Sequence, residues 1–395
     1  MNYDKFFSED VGNFFRSPVR EIFKRVDLSK IWSFAGGYPS ADTFPLEDIK
    51  AISAHVIDKY GAKAFQYGAT QGVTELREAL SDRYGVEVKN IQITSSSQQG
   101  IDVCCRVFAN PGDVIITSQP TYLGALQSFR SYRADVQGVP HEDDPVAFRE
   151  SYRKRIQECL DADKKVKYIY MIPDFQNPSG ETLDLEQRQA LVEVAREFDI
   201  LIVEDSPYRE LRYEGEHVPT IYSLAPERTL MLGSFSKIFA PGFRLGWIFA
   251  AEELLDKIYV CKQSLDLCPP IMDQYIAAEY LRSGKLDINL KKNIALYRRK
   301  RDLMVSLLSK YMPQGAKWTY PNGGLFLFLT LPEDFDAVKF YDKALDNEVA
   351  YVAGTFFRTD GSGLNTMRLN FSFISEDRME EGIRRLGALI ASEIK

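Results

Sequence analysis

Metal-ligating and bridge-forming side chains are scarce in this chain. Its 395 residues hold three histidines and five cysteines. His55, His141 and His217 have no metal-ligand spacing, and Cys104, Cys105, Cys159, Cys261 and Cys268 form no C-x-x-C pair. An odd cysteine count without regular spacing argues against a disulfide scaffold and against structural zinc, so the expectation is reduced thiols, a cytoplasmic setting and no metal. No apolar run approaches the roughly 20 residues that span a bilayer. The N-terminus MNYDKFFSED carries early acids and no apolar core, unlike a secretory signal. Positive charge is also short: the net charge is −7, which gives no electrostatic footprint for nucleic acid.

What remains is an ordinary globular composition, with 45% hydrophobic and 27% charged residues, at a length that accommodates two packed domains. Short, continuously apolar segments recur: IQIT (91–94), DVIITSQ (113–119), KYIYMI (167–172), ILIVED (200–205), TLMLGSF (229–235) and RLGWIFA (244–250). Each is bounded by turn residues and reads as a buried strand. Helical patterns such as Leu185 to Phe198 lie between several of them, which predicts an α/β large domain, its mostly parallel sheet covered by helices on both faces. From Leu281 the character changes. Lys285 to Tyr311 is one long amphipathic helix pattern without proline or glycine, followed by WTYPNGGLFLFL, MRLNFSF and a helix from Glu376 onward. The expected division is an N-terminal segment (1–44) packing on the small domain or a partner subunit, a large domain (45–284) and a smaller α+β domain (285–395).

In such sheets ligands bind beyond the carboxyl ends of the strands, so the polar residues there carry the chemistry. After IQIT come Ser95, Ser96, Ser97, Gln98 and Gln99, which suit an anion at a helix N-terminus or an ordinary cap. Tyr122 follows the next strand, placed to stack on a flat ring or simply half-buried. Asn177, before Pro178, is a turn residue by composition or an amide donor to a ring substituent. ILIVEDSPY runs a buried strand into Glu204 and Asp205. A buried carboxylate needs a partner, either an arginine or a protonated ring nitrogen, with Tyr208 close by. GSFSKIFAPGFRLGW sets Ser234, Ser236, Lys237 and Arg244 together. Two hydroxyls and a guanidinium suit a phosphate dianion, and Lys237 suits a Schiff base with a carbonyl. An acid for a pyridinium nitrogen, an amine for an aldehyde and a phosphate cradle together describe pyridoxal 5′-phosphate.

These motifs, with SFAGGYPSADTFP, QYGATQG, PNGGLFLFL and MRLNFS, make nearly the whole chain resemble the class I/II aminotransferases of the fold-type I pyridoxal-phosphate enzymes. The branch it resembles holds α-aminoadipate, kynurenine and aromatic aminotransferases. The resemblance implies Lys237 as the Schiff-base and proton-shuttling lysine, Asp205 at the ring nitrogen and Asn177 and Tyr208 at the phenolic oxygen. It implies Tyr122 on the ring face and Ser97, Gln98, Ser234, Ser236 and Arg244 around the phosphate. Tyr67 matches the tyrosine that reaches a phosphate across a dimer interface. Arg368 matches the grip on the substrate α-carboxylate, Gly37 lies in the segment lining the pocket, and Arg20 falls where related enzymes meet a side-chain carboxylate. A solvated helix arginine is the equal alternative for Arg20. Ser96 where glycine is common, Ser206 in place of an acid and Ala353 in place of a proline are the departures.

The implied activity is ping-pong transamination between an aromatic or aminoadipate-like L-amino acid and 2-oxoglutarate, by a homodimer with shared sites. β-Elimination or decarboxylation on the same cofactor is the alternative enzyme. A ligand-sensing regulator is disfavoured because the aminotransferase-like segment already begins at Gly36.

Overall fold

The computed structural model describes residues 1–14 and 30–394. Arg20 lies outside the described residues. A seven-stranded sheet holds the large part of the chain together. Its members are β2 (Ile91–Thr94), β3 (Val114–Gln119), β4 (Asp135–Pro140), β5 (Val166–Met171), β6 (Leu201–Asp205), β7 (Thr229–Ser234) and β8 (Gly246–Phe249), in the order β2-β8-β7-β6-β5-β3-β4. The six apolar runs read from sequence are strands to within two residues at either end. The seventh, β4, was not expected: DVQGVP is short of apolar residues because it lies half-buried at the sheet edge.

The neighbours from β4 to β7 pair in parallel, whereas β8 runs antiparallel to both β7 and β2. That reversal positions the site. The start of β8 lies level with the ends of β2 and β7, Gly246 pairing with both Thr94 and Ser234, so the residues preceding β8 join the carboxyl edge of its neighbours. Helices cover the sheet, among them α1 (Ser96–Phe108) and α2 (Leu185–Glu197). A capping box between Asp184 and Gln187 starts α2, satisfying two otherwise unpaired backbone donors. Ile, Val, Leu and aromatic side chains fill both faces, each fully buried aliphatic contributing about 1.5–3 kcal/mol.

The C-terminal part is built on α3 (Lys285–Tyr311), packed against α4 (Glu376–Ala391), and a second sheet. That sheet is antiparallel, ordered β12 (Val352–Ala353), β13 (Thr366–Asn370), β10 (Phe326–Thr330), β9 (Lys317–Trp318). The N-terminal segment contributes a short strand: β1 (Trp32–Ser33) pairs in parallel with β11 (Val349–Ala350). Phe34 N–H continues that ladder to Ala350 O, and Asn370 N–H donates to Phe34 O, so residues 32–35 are tied to the C-terminal part.

Candidate active site

Lys237 sits in the turn after β7, and its Nζ donates to Gly37 O at 2.8 Å. Burial, aided by the charges of Arg368 and Arg244, lowers its ammonium to about 8. A substantial fraction is therefore the neutral, nucleophilic amine at mildly alkaline pH. Arg368, on β13, is 3% exposed. Its Nη1 donates to Asn177 Oδ1 at 2.9 Å and its Nη2 to Ala35 O at 2.5 Å. Its guanidinium lies 4.4 Å from the Phe326 ring centroid and 5.0 Å from that of Phe357. Both acceptors are neutral, Nε has no partner, and Arg368 belongs to no ion pair among the described residues. Burial pulls its pKa down to about 10. A buried cation without an anion is costly, and a ligand carboxylate would remove that cost.

Asp205, at the end of β6, is 2% exposed. Tyr170 OH donates to its Oδ2 at 2.7 Å, while the buried Oδ1 has no partner. Burial raises this carboxyl from 3.8 to about 7, the Tyr170 bond opposing the shift. Among the described residues no arginine pairs with Asp205, unlike the ion pair considered from sequence, and Oδ1 is open to accept from a ligand N–H. Glu204, one residue earlier, accepts from Ser206 Oγ and Tyr222 N–H and stays inside the fold. Tyr208 is buried, edge-on to Phe326 at 5.8 Å. Burial pushes its phenol far above the ordinary range, with Tyr122 reinforcing the shift and Arg368 and the Asn177 amide opposing it.

The anion end is formed by the start of α1, the turn after β7 and the residues before β8. No side chain caps α1: Ser95 Oγ donates to Asp266, and Gln99 accepts from Ser95 N–H. The first backbone N–H groups of a helix, Ser97 and Gln98 included, have no intrahelical acceptor and favour an anion. The Gln98 side chain is engaged elsewhere: its amide donates to Gly124 O and Ser128 Oγ, and its Oε1 accepts from Tyr122 OH at 3.2 Å. What Gln98 offers an anion is thus its backbone, while its side chain steadies Tyr122. Ser234 Oγ accepts from Ser236 N–H, and Arg244 Nη2 donates to Ser96 Oγ at 2.7 Å.

Lys237 meets Gly37 and Arg368 meets Asn177, the Arg368 charge is felt at Lys237, and Asp205, Tyr208 and Tyr122 share their electrostatic surroundings. Tyr67 stands apart, 79% exposed on the rim of an open cavity of about 770 Å³ that Ser95, Asp266 and Cys268 also line. Sequence reading missed Tyr170, Phe326, Phe357 and the Ala35 carbonyl. Tyr170 stood inside a strand pattern, with only the alternation of KYIYMI to show that it shares a sheet face with Tyr168. The other three act through tertiary contacts with Arg368, from Phe357 on a neighbouring turn to Ala35 at the far end of the chain, for which the chain carries no local signal.

The residues present fit pyridoxal 5′-phosphate. An unpaired buried carboxylate oxygen suits a protonated ring nitrogen, a lysine of lowered pKa suits an aldehyde, and free helix N–H groups beside Arg244 suit a phosphate. Fold and site thus define a pyridoxal-phosphate-dependent aminotransferase of fold type I. The family model for aminotransferase class I and II matches residues 34–386, and the chain belongs to that family.

Among similar proteins is aromatic-amino-acid aminotransferase 1 of Thermococcus litoralis, 44% identical over 100% of this chain and 96% of its own. The 2-aminoadipate transaminase of Thermus thermophilus is 32% identical over 98% of this chain and 97% of its own. A solved Pyrococcus horikoshii kynurenine aminotransferase, in complex with pyridoxamine phosphate, superposes with a TM-score of 0.95. It is 42% identical and covers 100% of this chain and 99% of its own. The chain is therefore an aminotransferase of the aromatic, aminoadipate and kynurenine branch.

Proposed function

We propose that this protein moves the amino group of an aromatic or aminoadipate-like L-amino acid to 2-oxoglutarate, in two half-reactions at one site. The observation that carries this reading is Arg368, a buried guanidinium with no anion among the described residues, whose charge helps to lower the pKa of the Lys237 amine. Arg368 binds the α-carboxylate of either substrate and so fixes the α-carbon. Lys237 Nζ, neutral in the working enzyme, takes the proton from that carbon and returns one on the other side of the transfer. When bound, pyridoxal phosphate supplies the aldehyde that carries the amino group and the electron sink that makes the α-proton acidic. Asp205 Oδ1 holds the ring N–H, Asn177 and Tyr208 bond the phenolic oxygen, and Tyr122 covers the ring face. The backbone of Ser97 and Gln98, with Ser234, Ser236 and Arg244, holds the phosphate.

The names of the relatives support the aromatic and aminoadipate substrate classes. The resemblance gives Arg20 the side-chain carboxylate of a dicarboxylic substrate. Arg20→Ala is expected to raise KM for glutamate about tenfold and leave that for phenylalanine within twofold, a charged-pair loss. An unchanged glutamate KM would remove that role. The same reading makes the working unit a cytoplasmic homodimer in which Tyr67 reaches the neighbour's phosphate, and divides each chain at residues 44 and 284. Among the described residues no helix is long and apolar enough to cross a membrane.

The test is the visible spectrum of the purified protein. The cofactor band is expected to fade on adding glutamate and to return with 2-oxoglutarate. A band indifferent to every amino acid, or ammonia or carbon dioxide released in place of an oxo acid, would overturn the reading.

A further inference from the structure

Ser96 breaks a backbone rule. Its φ is +74°, in the left-handed region where side chains are disfavoured and glycine is at home. Strain of this kind persists where the surroundings over-determine it, and it concentrates at functional sites. Three contacts fix Ser96 here. Thr94 Oγ1 donates to its carbonyl at 3.0 Å. The peptide joining it to Ser97 lies so close to β8 that a Cβ on Gly246 would come within 2.7 Å of Ser96 C and Ser97 N. Its hydroxyl, finally, accepts from Arg244 Nη2 at 2.7 Å.

Only that third contact needs a side chain, and a glycine would satisfy the other two without strain. Arg244 itself is exposed, in the left-handed region at φ +50°, and its other side-chain bond goes to Pro241 O at 3.2 Å, three residues back. A long exposed side chain loses rotamer freedom when it is fixed on a ligand. An acceptor on the neighbouring element takes that loss in advance.

We propose that Ser96 is a positioning residue: its hydroxyl, held out by a strained backbone, pre-aims the Arg244 guanidinium at the phosphate-binding turn and so sets the affinity for the cofactor's phosphate. This rests on the phosphate role proposed for Arg244. Serine at position 96 trades local backbone comfort for a preorganised arginine, and affinity and stability therefore respond to it with opposite sign.

The test uses the full chain loaded with pyridoxal phosphate. Bound and free cofactor are measured by equilibrium dialysis for the wild type, Ser96→Gly, Ser96→Ala and Arg244→Ala. Unphosphorylated pyridoxal serves as the control probe. Both Ser96 variants are expected to hold pyridoxal phosphate about tenfold more weakly, the scale of one charge-assisted hydrogen bond, and pyridoxal as the wild type does. Ser96→Gly should add little once Arg244 is already alanine, because the two residues act as one unit. Freed of cofactor, Ser96→Gly should also unfold at a temperature no lower than the cofactor-free wild type, since glycine relieves the left-handed strain, whereas loss of a purely structural serine would lower it. Wild-type affinity in both Ser96 variants would overturn the proposal. Equal losses for pyridoxal and pyridoxal phosphate, or additivity with Arg244→Ala, would do the same. A wild-type protein that bound pyridoxal as tightly as pyridoxal phosphate would instead remove the phosphate role of Arg244, and this inference with it.

Discussion

Lys237 and Asp205 carry the two most informative displacements in the molecule, and both arise from burial first. Replacing Lys237 with alanine is expected to cut transamination by more than about 10³-fold, the upper range for a positioned acid–base group, as read from 2-oxo acid formation. Near-normal turnover in that variant would contradict the assignment. Asp205 makes a prediction about stability. Its carboxyl is raised from 3.8 in the unfolded chain to about 7 in the fold, so between those values the folded protein holds more protons. Stability of the cofactor-free protein should therefore fall as pH rises from about 4 to about 7, and this loss stays constant above that window. Asp205→Asn should remove that part of the slope, measured by urea unfolding across the range. An identical slope in the variant would mean that Asp205 is ionised in the fold at ordinary cost. Tyr170 belongs to the same residue-scale account: its bond to Oδ2 leaves Oδ1 as the oxygen still available to a ligand.

Among the elements, the reversed strand β8 matters most. The sequence marks RLGWIFA as a strand but cannot give its direction, because antiparallel and parallel strands buried on both faces share one apolar pattern. Its direction decides whether Arg244 reaches the site: entering β8 from the carboxyl edge of its neighbours places Arg244 beside the start of α1. Gly246 is the point of contact. A methyl there would press on the Ser96–Ser97 peptide and on Gly233 O, all at 2.7 Å, and these are backbone atoms that cannot rotate away. Gly246→Ala is expected to cost about 1–3 kcal/mol of stability, as overpacking does, and to weaken cofactor retention together with it. Thermal unfolding and cofactor dialysis check both. A fully stable variant that retained the cofactor would show that α1 can shift without consequence. The helix patterns were more legible. Leu185–Glu197 and Lys285–Tyr311 follow their sequence reading within a residue, because an amphipathic stripe and a capping pair are local signals.

Across the whole molecule, Arg368 joins three regions: its own strand in the C-terminal sheet, Asn177 in the loop after β5, and Ala35 in the N-terminal segment. On the proposed carboxylate role, the same side chain serves substrate and architecture in opposite ways. It is a buried cation lacking an anion until a carboxylate arrives, so neutralising it should relieve the substrate-free protein while disabling the enzyme. Arg368→Gln is expected to lower kcat/KM for amino acids roughly 100-fold, mostly through KM. The unfolding temperature of the substrate-free protein should hold or rise. A parallel loss of stability and activity would show that Arg368 is chiefly a structural strut.

The sequence by itself determined the strand–helix alternation and which polar residues stand at each strand end: Asp205, Asn177, Tyr122, Ser234 and Lys237 are all recognisable from their own segments. It could do so because a parallel sheet sends the carboxyl ends of its strands to one edge, so local position already implies a shared site. Tertiary structure decided the rest. It set the direction of β8, the carbonyls of Ala35 and Gly37 opposite Arg368 and Lys237, the Phe326 and Phe357 rings flanking the guanidinium, and the use of the Gln98 side chain on Tyr122. The unpartnered oxygen of Asp205 belongs with them. These depend on which distant segments pack together and on how completely they exclude water. Neither register nor dielectric is encoded in the periodicity of a single stretch of chain.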